Sequence, residues 1–250
     1  MKQISFAFAA ALMLFASCGN SGKNNAEAAN DSTAVSTDSA ATGYKVADKA
    51  NVDISKFPVD KDGYIVLFDG KTLNGWRGYG MDNPPKSWEV QDGAIHLKGS
   101  GTGEAHAEDG GDLIFAHKFQ NFEFECEYKI SKGGNSGILY LAQEVVTNEN
   151  GKEVYLPIWQ SSSEYQVLDN ENHIDAKLGK DGNRQSASLY DMLPAKPQNA
   201  KPYGQWNKAK IMVFKGTVIH GQNGENVVEY HLWTPKSVSY THLTLPTSDL

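Results

Sequence analysis

Apolar and polar residues alternate in short runs along most of this chain, and Gly, Asn or Asp interrupts the runs every few residues. From Tyr64 to Trp233 there is no sustained 3.6-residue apolar period of the kind an amphipathic helix needs. Tyr64-Ile65-Val66-Leu67-Phe68 reads as a strand ending at Asp69-Gly70. Trp88-Glu89-Val90 faces Ala94-Ile95-His96-Leu97 across Asp92-Gly93, a dipeptide that suits a tight hairpin. Phe122-Glu123-Phe124-Glu125-Cys126-Glu127-Tyr128 alternates strictly, which predicts one buried and one wet face, with Cys126 as a buried apolar group. Ile138 to Leu141 follows a Gly-rich turn. Ile211 to Phe214 leads through Lys215-Gly216 into Val218-Ile219, and Asn223-Gly224 turns into Val227 to Leu232. About a dozen short strands at this spacing predict an all-β sandwich of two antiparallel sheets. No repeat of propeller or solenoid period is present.

The two ends break the pattern. Lys2 followed by the apolar run Phe6 to Phe15 reads as an export leader, too short for a permanent membrane span. Ala16-Ser17-Cys18 resembles a lipoprotein processing site, so residues 1–18 are expected to form a signal peptide with Cys18 as the lipidated residue. Residues 19–52 hold few large apolar side chains and are expected to be a disordered tether. The domain then occupies 53–237. Residues 238–250 abandon the domain's style, and back-translation of VSYTHLTLPT resembles a sequencing-adapter sequence. That segment is read as non-native, and the sandwich as lacking its closing C-terminal strands. The expected location is the bacterial envelope, on either face of an outer membrane.

Charge narrows the partners. With 23 basic against 30 acidic side chains, a net charge of −7 and no Lys/Arg cluster, the chain lacks the positive field a nucleic-acid groove requires. Only two cysteines are present, far apart, which excludes a disulfide scaffold and a CxxC zinc site.

Titratable side chains are densest from Glu164 to Lys177. On a strand Glu164, Gln166 and Leu168 share one face, and a bulge at its end would bring Asp169 beside Glu164. The pattern Glu164-x-Gln166-x-x-Asp169 approaches the paired-carboxylate spacing of sandwich glycosidases, with a glutamine that orients but does not titrate. Asn135-Ser136-Gly137 is small enough to admit a sugar ring near the backbone. His106, His117 and His220 are isolated and expected to be solvated or locally bonded. Of Trp76, Trp88, Trp159, Trp206 and Trp233, one or two at most are expected to face a ligand.

The chain resembles the DUF1080 family, also called the 3-keto-disaccharide hydrolase domain, from about Gly63 to Trp233. The motifs are Leu67-Phe68-Asp69-Gly70-Lys71-Thr72-Leu73-Asn74-Gly75-Trp76, Trp88-x-Val90-x-Asp92-Gly93 and Asn135-Ser136-Gly137-Ile138. They continue with Glu164 to Asn170, His173-x-Asp175-Ala176, Gly204-x-Trp206-Asn207 and Asn223-Gly224. The family pattern has a proline where Ile174 stands and an aromatic near Gly221, and it continues into strands around a Gln-Asp-His-Gly segment absent here.

The resemblance implies a concanavalin A-like jelly roll that cleaves glycosides already oxidised at C3. A 3-keto group acidifies the C2 proton, so a base can remove it and the enolate can expel the C1 substituent, with water adding afterwards. His173, Glu164 and Asp169 are the catalytic candidates, with His173 as base. Gln166, Asn170, Asn135 and Asp175 are the substrate-binding candidates. The resemblance names no definite cofactor; a divalent cation on Glu164 and Asp169 is one option. The rival reading from the same fold is a non-catalytic, lectin-like carbohydrate-binding module.

Overall fold

A computed structural model of the protein describes residues 4–7, 44–98 and 111–234, with backbone only for 4–7. Its strands, in chain order, begin with β1 (Ile4–Ala7), β2 (Tyr44–Ala47), β3 (Trp76–Gly78), β4 (Trp88–Gln91), β5 (Ala94–Leu97), β6 (Leu113–Phe115) and β7 (Phe122–Ile130). They continue with β8 (Asn135–Tyr140), β9 (Glu144–Glu149), β10 (Lys152–Tyr155), β11 (Ser163–Leu168), β12 (Trp206–Phe214), β13 (Thr217–Gln222) and β14 (Glu225–His231). Among the described residues all the strand pairs are antiparallel. The fold is an all-β jelly-roll sandwich, as the alternation predicts.

One layer is a seven-stranded sheet ordered β14-β13-β12-β7-β1-β5-β4; shorter sheets β10-β9-β2, β11-β8 and β3-β6 complete the architecture. The β8–β11 pair lies over the large sheet. Tyr165 donates to the Gly221 carbonyl at 3.2 Å, and Tyr140 meets His220 at 2.7 Å. The core between them is built from Tyr128, Ile130, Tyr165, Val167, Ile211 and Val218. Turn chemistry sets the hairpins: Asp92 and Gly93 sit at φ 51° and 74°, and Asn223 and Gly224 at 50° and 91°, left-handed values that a two-residue turn requires. In β7, Phe122, Cys126, Tyr128 and Ile130 are buried while Glu127 is exposed, so the alternation places the sheet's faces correctly.

Several polar groups inside the core are bonded to one another, though Arg77 Nε, Ser87 Oγ, His96 Nδ1 and Ser131 Oγ are buried without a hydrogen bond among the described residues. His220 has Nδ1 at 2.8 Å from the Ala187 carbonyl, which only accepts, so Nδ1 carries the proton and Nε2 accepts from Tyr140. Burial holds its pKa down at about 4, against the Ala187 hydrogen bond. Gln222 accepts from Tyr128 and Ser186 and donates to Gln198 and Asn199 at 2.9–3.0 Å. Arg77 and Glu144 form a buried two-point pair at 2.6 Å, and Glu144 also accepts from the Gly80 N–H at 2.8 Å. Burial pushes the Glu144 carboxyl up, but Arg77 and that N–H outweigh it and hold it below its usual value.

Two expectations need correction. Tyr64 to Phe68 is buried in part but forms no strand: Val66 donates to the Pro58 carbonyl and Leu67 accepts from the Trp76 indole, so its backbone groups go to loops. The segment read as a tether ends early, because Tyr44–Ala47 pairs with Glu144–Thr147 and the Asn51 and Val52 N–H groups bond Ala116. Ile4–Ala7, inside the segment read as an export leader, is paired on both sides, with β5 and β7. Cys18, His106 and residues 238–250 lie outside the described residues.

Candidate active site

β11 carries the site. Its register against β8 runs without a shift from Ser163–Tyr140 to Leu168–Asn135, so the expected bulge is absent. Asp169 therefore follows the strand's far end, five residues from Glu164 and about 16 Å along the chain at ~3.3 Å per residue. The register puts Glu164, Gln166 and Gly137 on one face, and Tyr165 and Val167 on the core face.

Glu164 is the perturbed group. Its carboxyl lies over Gly137, where an added Cβ would fall 2.7 Å from Cδ and 2.8 Å from Cγ of Glu164. Only glycine leaves room for it there. Burial, then the negative charges of Asp112 and Asp175, push its pKa up to about 7. A carboxyl with that value takes or gives a proton at neutral pH.

Asp169 has a different occupation. Its Oδ2 accepts from the Gly133 N–H at 2.7 Å and the Asn172 side-chain amide at 2.8 Å, and its Oδ1 from the N–H groups of Glu171 and Asn172 at 3.2 and 3.4 Å. It is buried and ties the turn after β11 to the Gly-rich turn before β8. Its oxygens being so engaged, Glu164 and Asp169 do not form a two-carboxylate cation seat. Among the described residues no group of three or more His, Cys, Asp or Glu side chains is arranged to hold a metal.

The loop beyond Asp169 folds back toward Glu164. His173 donates its N–H to the Asp169 carbonyl at 3.0 Å and caps the short 3-10 turn Ile174–Lys177. Its Nδ1 accepts from the Asp175 N–H at 3.1 Å, so the neutral ring carries its proton on Nε2. The carboxylate of Asp175 accepts from Arg184 and from the Tyr190 hydroxyl, each at 2.9 Å, and the Tyr190 N–H bonds the Glu164 carbonyl at 3.1 Å. Burial, then the Asp175 hydrogen bond, push the Tyr190 phenol up. Its proton stays on.

The remaining candidates are distributed by the same bonds. Gln166 is buried at 1% exposure, its Oε1 accepting from the Val167 N–H. Asn170 accepts from the Ser186 N–H at 2.9 Å and pins the next loop. Asn135 is exposed at the start of β8, opposite Leu168. His117 bonds the Val52 carbonyl. Of the tryptophans, Trp159 and Trp233 are the exposed pair, at 65% and 52%.

Asp112, Arg184, Tyr190 and Asp191 were missed by the sequence reading. Only the Ser188-Leu189-Tyr190-Asp191 run, a polar interruption with an acidic group beside an aromatic, offered a local signal for any of them.

Residues 63–246 match the family described as the 3-keto-alpha-glucoside-1,2-lyase-like domain, a span that reaches into the segment read as non-native. A 3-keto-disaccharide hydrolase from Bacteroides thetaiotaomicron is 60% identical over 236 residues, covering 94% of this chain and 81% of that protein. A solved structure of a glycosyl hydrolase candidate from Parabacteroides distasonis superposes with a TM-score of 0.55 at 24% identity, over 72% of this chain and 77% of that one. That likeness is one of fold.

Proposed function

Because the chain belongs to the family of 3-keto-alpha-glucoside-1,2-lyase-like domains, we propose that it is an enzyme cleaving glycosides whose sugar carries a ketone at C3. The observation that supports this chemistry best is the Glu164 carboxyl, held at about 7 by burial and by the charges of Asp112 and Asp175. An ordinary glycosidase needs two carboxylates flanking one bond, about 5–10 Å apart. Asp169 is too committed to its turn to be the second.

The C2 proton of a 3-keto sugar is acidified by the neighbouring ketone, so one base of near-neutral pKa suffices. Ionised Glu164 removes that proton. The C2–H electron pair moves onto the ketone oxygen as an enolate, which re-forms the C3 carbonyl and makes the C1–C2 double bond as the C1–O bond breaks. The departing oxygen takes the proton back from Glu164 and leaves as an alcohol, with the Glu164 carboxylate restored. Water then adds its oxygen to C1 and a proton to C2, giving net hydrolysis. His173, with Nδ1 occupied, offers Nε2–H, a donor suited to the ketone oxygen as it gains negative charge. The base and donor roles are thus exchanged relative to the expectation from residue type alone.

Mass-spectrometric assay on a 3-keto-glucoside and on the unmodified glucoside tests the reading. Cleavage of the ketone only is expected, with a primary isotope effect from deuterium at C2. Glu164→Gln should lower kcat by about a hundredfold or more, the usual order for losing a general base. Equal cleavage of both substrates, or an undiminished rate in the variant, would overturn it.

The proposal includes export and lipidation at Cys18, for which Lys2, the apolar run and Ala16-Ser17-Cys18 are the support. Among the described residues no helix is long and apolar enough to cross a membrane. Incorporation of a labelled fatty acid, lost in Cys18→Ala, is the expected result.

A further inference from the structure

We infer that Arg184 is a positioning residue for His173, acting through Asp175 to keep the imidazole in the form that presents Nε2–H. The inference deepens the proposed function and rests on it for the role of His173, though not for the geometry.

Arg184 is unusually well held for a side chain on a loop. Its Nε and one terminal nitrogen meet the two oxygens of Asp191 at 2.8 and 2.9 Å, and its guanidinium lies over the Tyr190 ring at 5.5 Å. The remaining nitrogen donates to Asp175 Oδ1 at 2.9 Å, while Tyr190 donates to Oδ2 at 2.9 Å. Both Asp175 oxygens are therefore fixed from outside the turn. This planar fork is something a guanidinium supplies and an ammonium reproduces only in part.

The consequence falls on the backbone. Asp175 sits in a 3-10 turn of four residues, Ile174–Lys177, too short to hold itself in place. Anchoring its side chain fixes the direction of its N–H, and that N–H is what occupies His173 Nδ1 at 3.1 Å. A histidine tautomer is set by the hydrogen bond made at the other nitrogen. Without the anchor the turn loosens, the N–H swings away, and the ring samples both tautomers. Asp191 and Tyr190 act one step further back, since each orients Arg184 or shares its target.

The test reads the tautomer directly. In the full chain labelled with 15N-histidine, the signals lost in His173→Gln identify His173 among the seven histidines. Wild type should show a protonated Nε2 and an unprotonated, hydrogen-bonded Nδ1. Arg184→Met should show averaged nitrogens, with kcat down about tenfold or more and KM within about twofold, as expected when a group is misplaced by a fraction of an ångström. Arg184→Lys, which keeps the charge but not the fork, should recover both only in part. Should Arg184→Met fail to fold, the Lys variant and Asp191→Asn provide the comparison, each with a partial shift toward averaging. A wild-type ring protonated on Nδ1, or an Arg184→Met ring indistinguishable from wild type, overturns the inference. A locked tautomer in an enzyme that leaves 3-keto-glycosides untouched would refute the proposed function while leaving the positioning role standing.

Discussion

Replacing Gly137 with Ala isolates what the close approach of Glu164 to β8 contributes. The added methyl would sit 2.7 Å from Cδ and 2.8 Å from Cγ of Glu164, distances that real carbon pairs do not tolerate. The backbone is no obstacle, since Gly137 is not among the residues with positive φ, and alanine in a strand gains roughly 0.5–1 kcal/mol over glycine. Relief must come from the glutamate. Turning it off its rotamer costs about 0.5–1.5 kcal/mol, and overpacking in general about 1–3 kcal/mol. The net loss of stability should then lie between about zero and about 2.5 kcal/mol, measurable by urea titration with an unchanged slope.

Activity should respond far more. Moving a reacting group by about 1 Å costs on the order of a hundredfold, so kcat/KM on a 3-keto-glucoside should drop by that order while the fold survives. The pH profile gives the sharper signature. In wild type the rate should rise with pH as Glu164 ionises near its value of about 7. A carboxyl pushed toward water loses part of its desolvation, so in Gly137→Ala the acid limb should move to lower pH. An unchanged limb with unchanged kcat/KM would refute the reasoning, because it would mean that the carboxyl does not depend on the space above Gly137.

Three further outcomes follow from groups already placed. Glu164 titrates near 7 when folded but near 4.3 when unfolded, so its contribution to stability is fully present below about 4.3 and lost as pH rises through 7. Glu164→Gln should thus match wild type near pH 4 and exceed it by about 3–4 kcal/mol at pH 8 in chemical denaturation. His220 runs the other way, with a folded value of about 4 below its unfolded one, so its contribution is present above about 6.5 and lost as pH falls through 4. In His220→Gln the loss of stability between pH 7 and pH 4 should be smaller by about 2–3 kcal/mol. Glu144→Ala strands Arg77 inside the protein without its partner and should cost about 3–5 kcal/mol, seen as a lowered Tm.

Local chemistry made the hairpins readable. Asp92-Gly93 and Asn223-Gly224 occur where the backbone needs two left-handed residues, and β7 shows its faces through strict alternation of Phe, Cys and Tyr with Glu. Tyr64 to Phe68 misled because strand-like composition reports burial, whereas a ladder also needs a partner, and Val66 and Leu67 find theirs in loops. Tyr44–Ala47 was hidden for the opposite reason, being an exposed strand at the edge of the small β10-β9-β2 sheet that needs little apolar surface. The site was half visible. The cluster from Glu164 to Asp175 could be found by its density of titratable groups. Which carboxyl is saturated and which desolvated could not, since that depends on Gly133 reaching Asp169 and on Asp112 and Asp175 approaching Glu164.

The place of Ile4–Ala7 in the large sheet has a consequence for maturation. β1 is antiparallel to both neighbours, so β5 and β7 run parallel to each other. The matched domain begins at residue 63 and excludes β1. Cleavage at Cys18, as proposed, would withdraw this interior strand and leave Ile95–Leu97 facing Glu127–Ile130 across two strand spacings, roughly 9–10 Å. No backbone hydrogen bond spans that distance, so the two margins stay unpaired unless an extended segment enters between them or they move together into a parallel pairing, their outer partners being kept on the opposite edges. Until one or the other happens, the processed protein carries two open strand edges inside its largest sheet, a template for pairing with another chain.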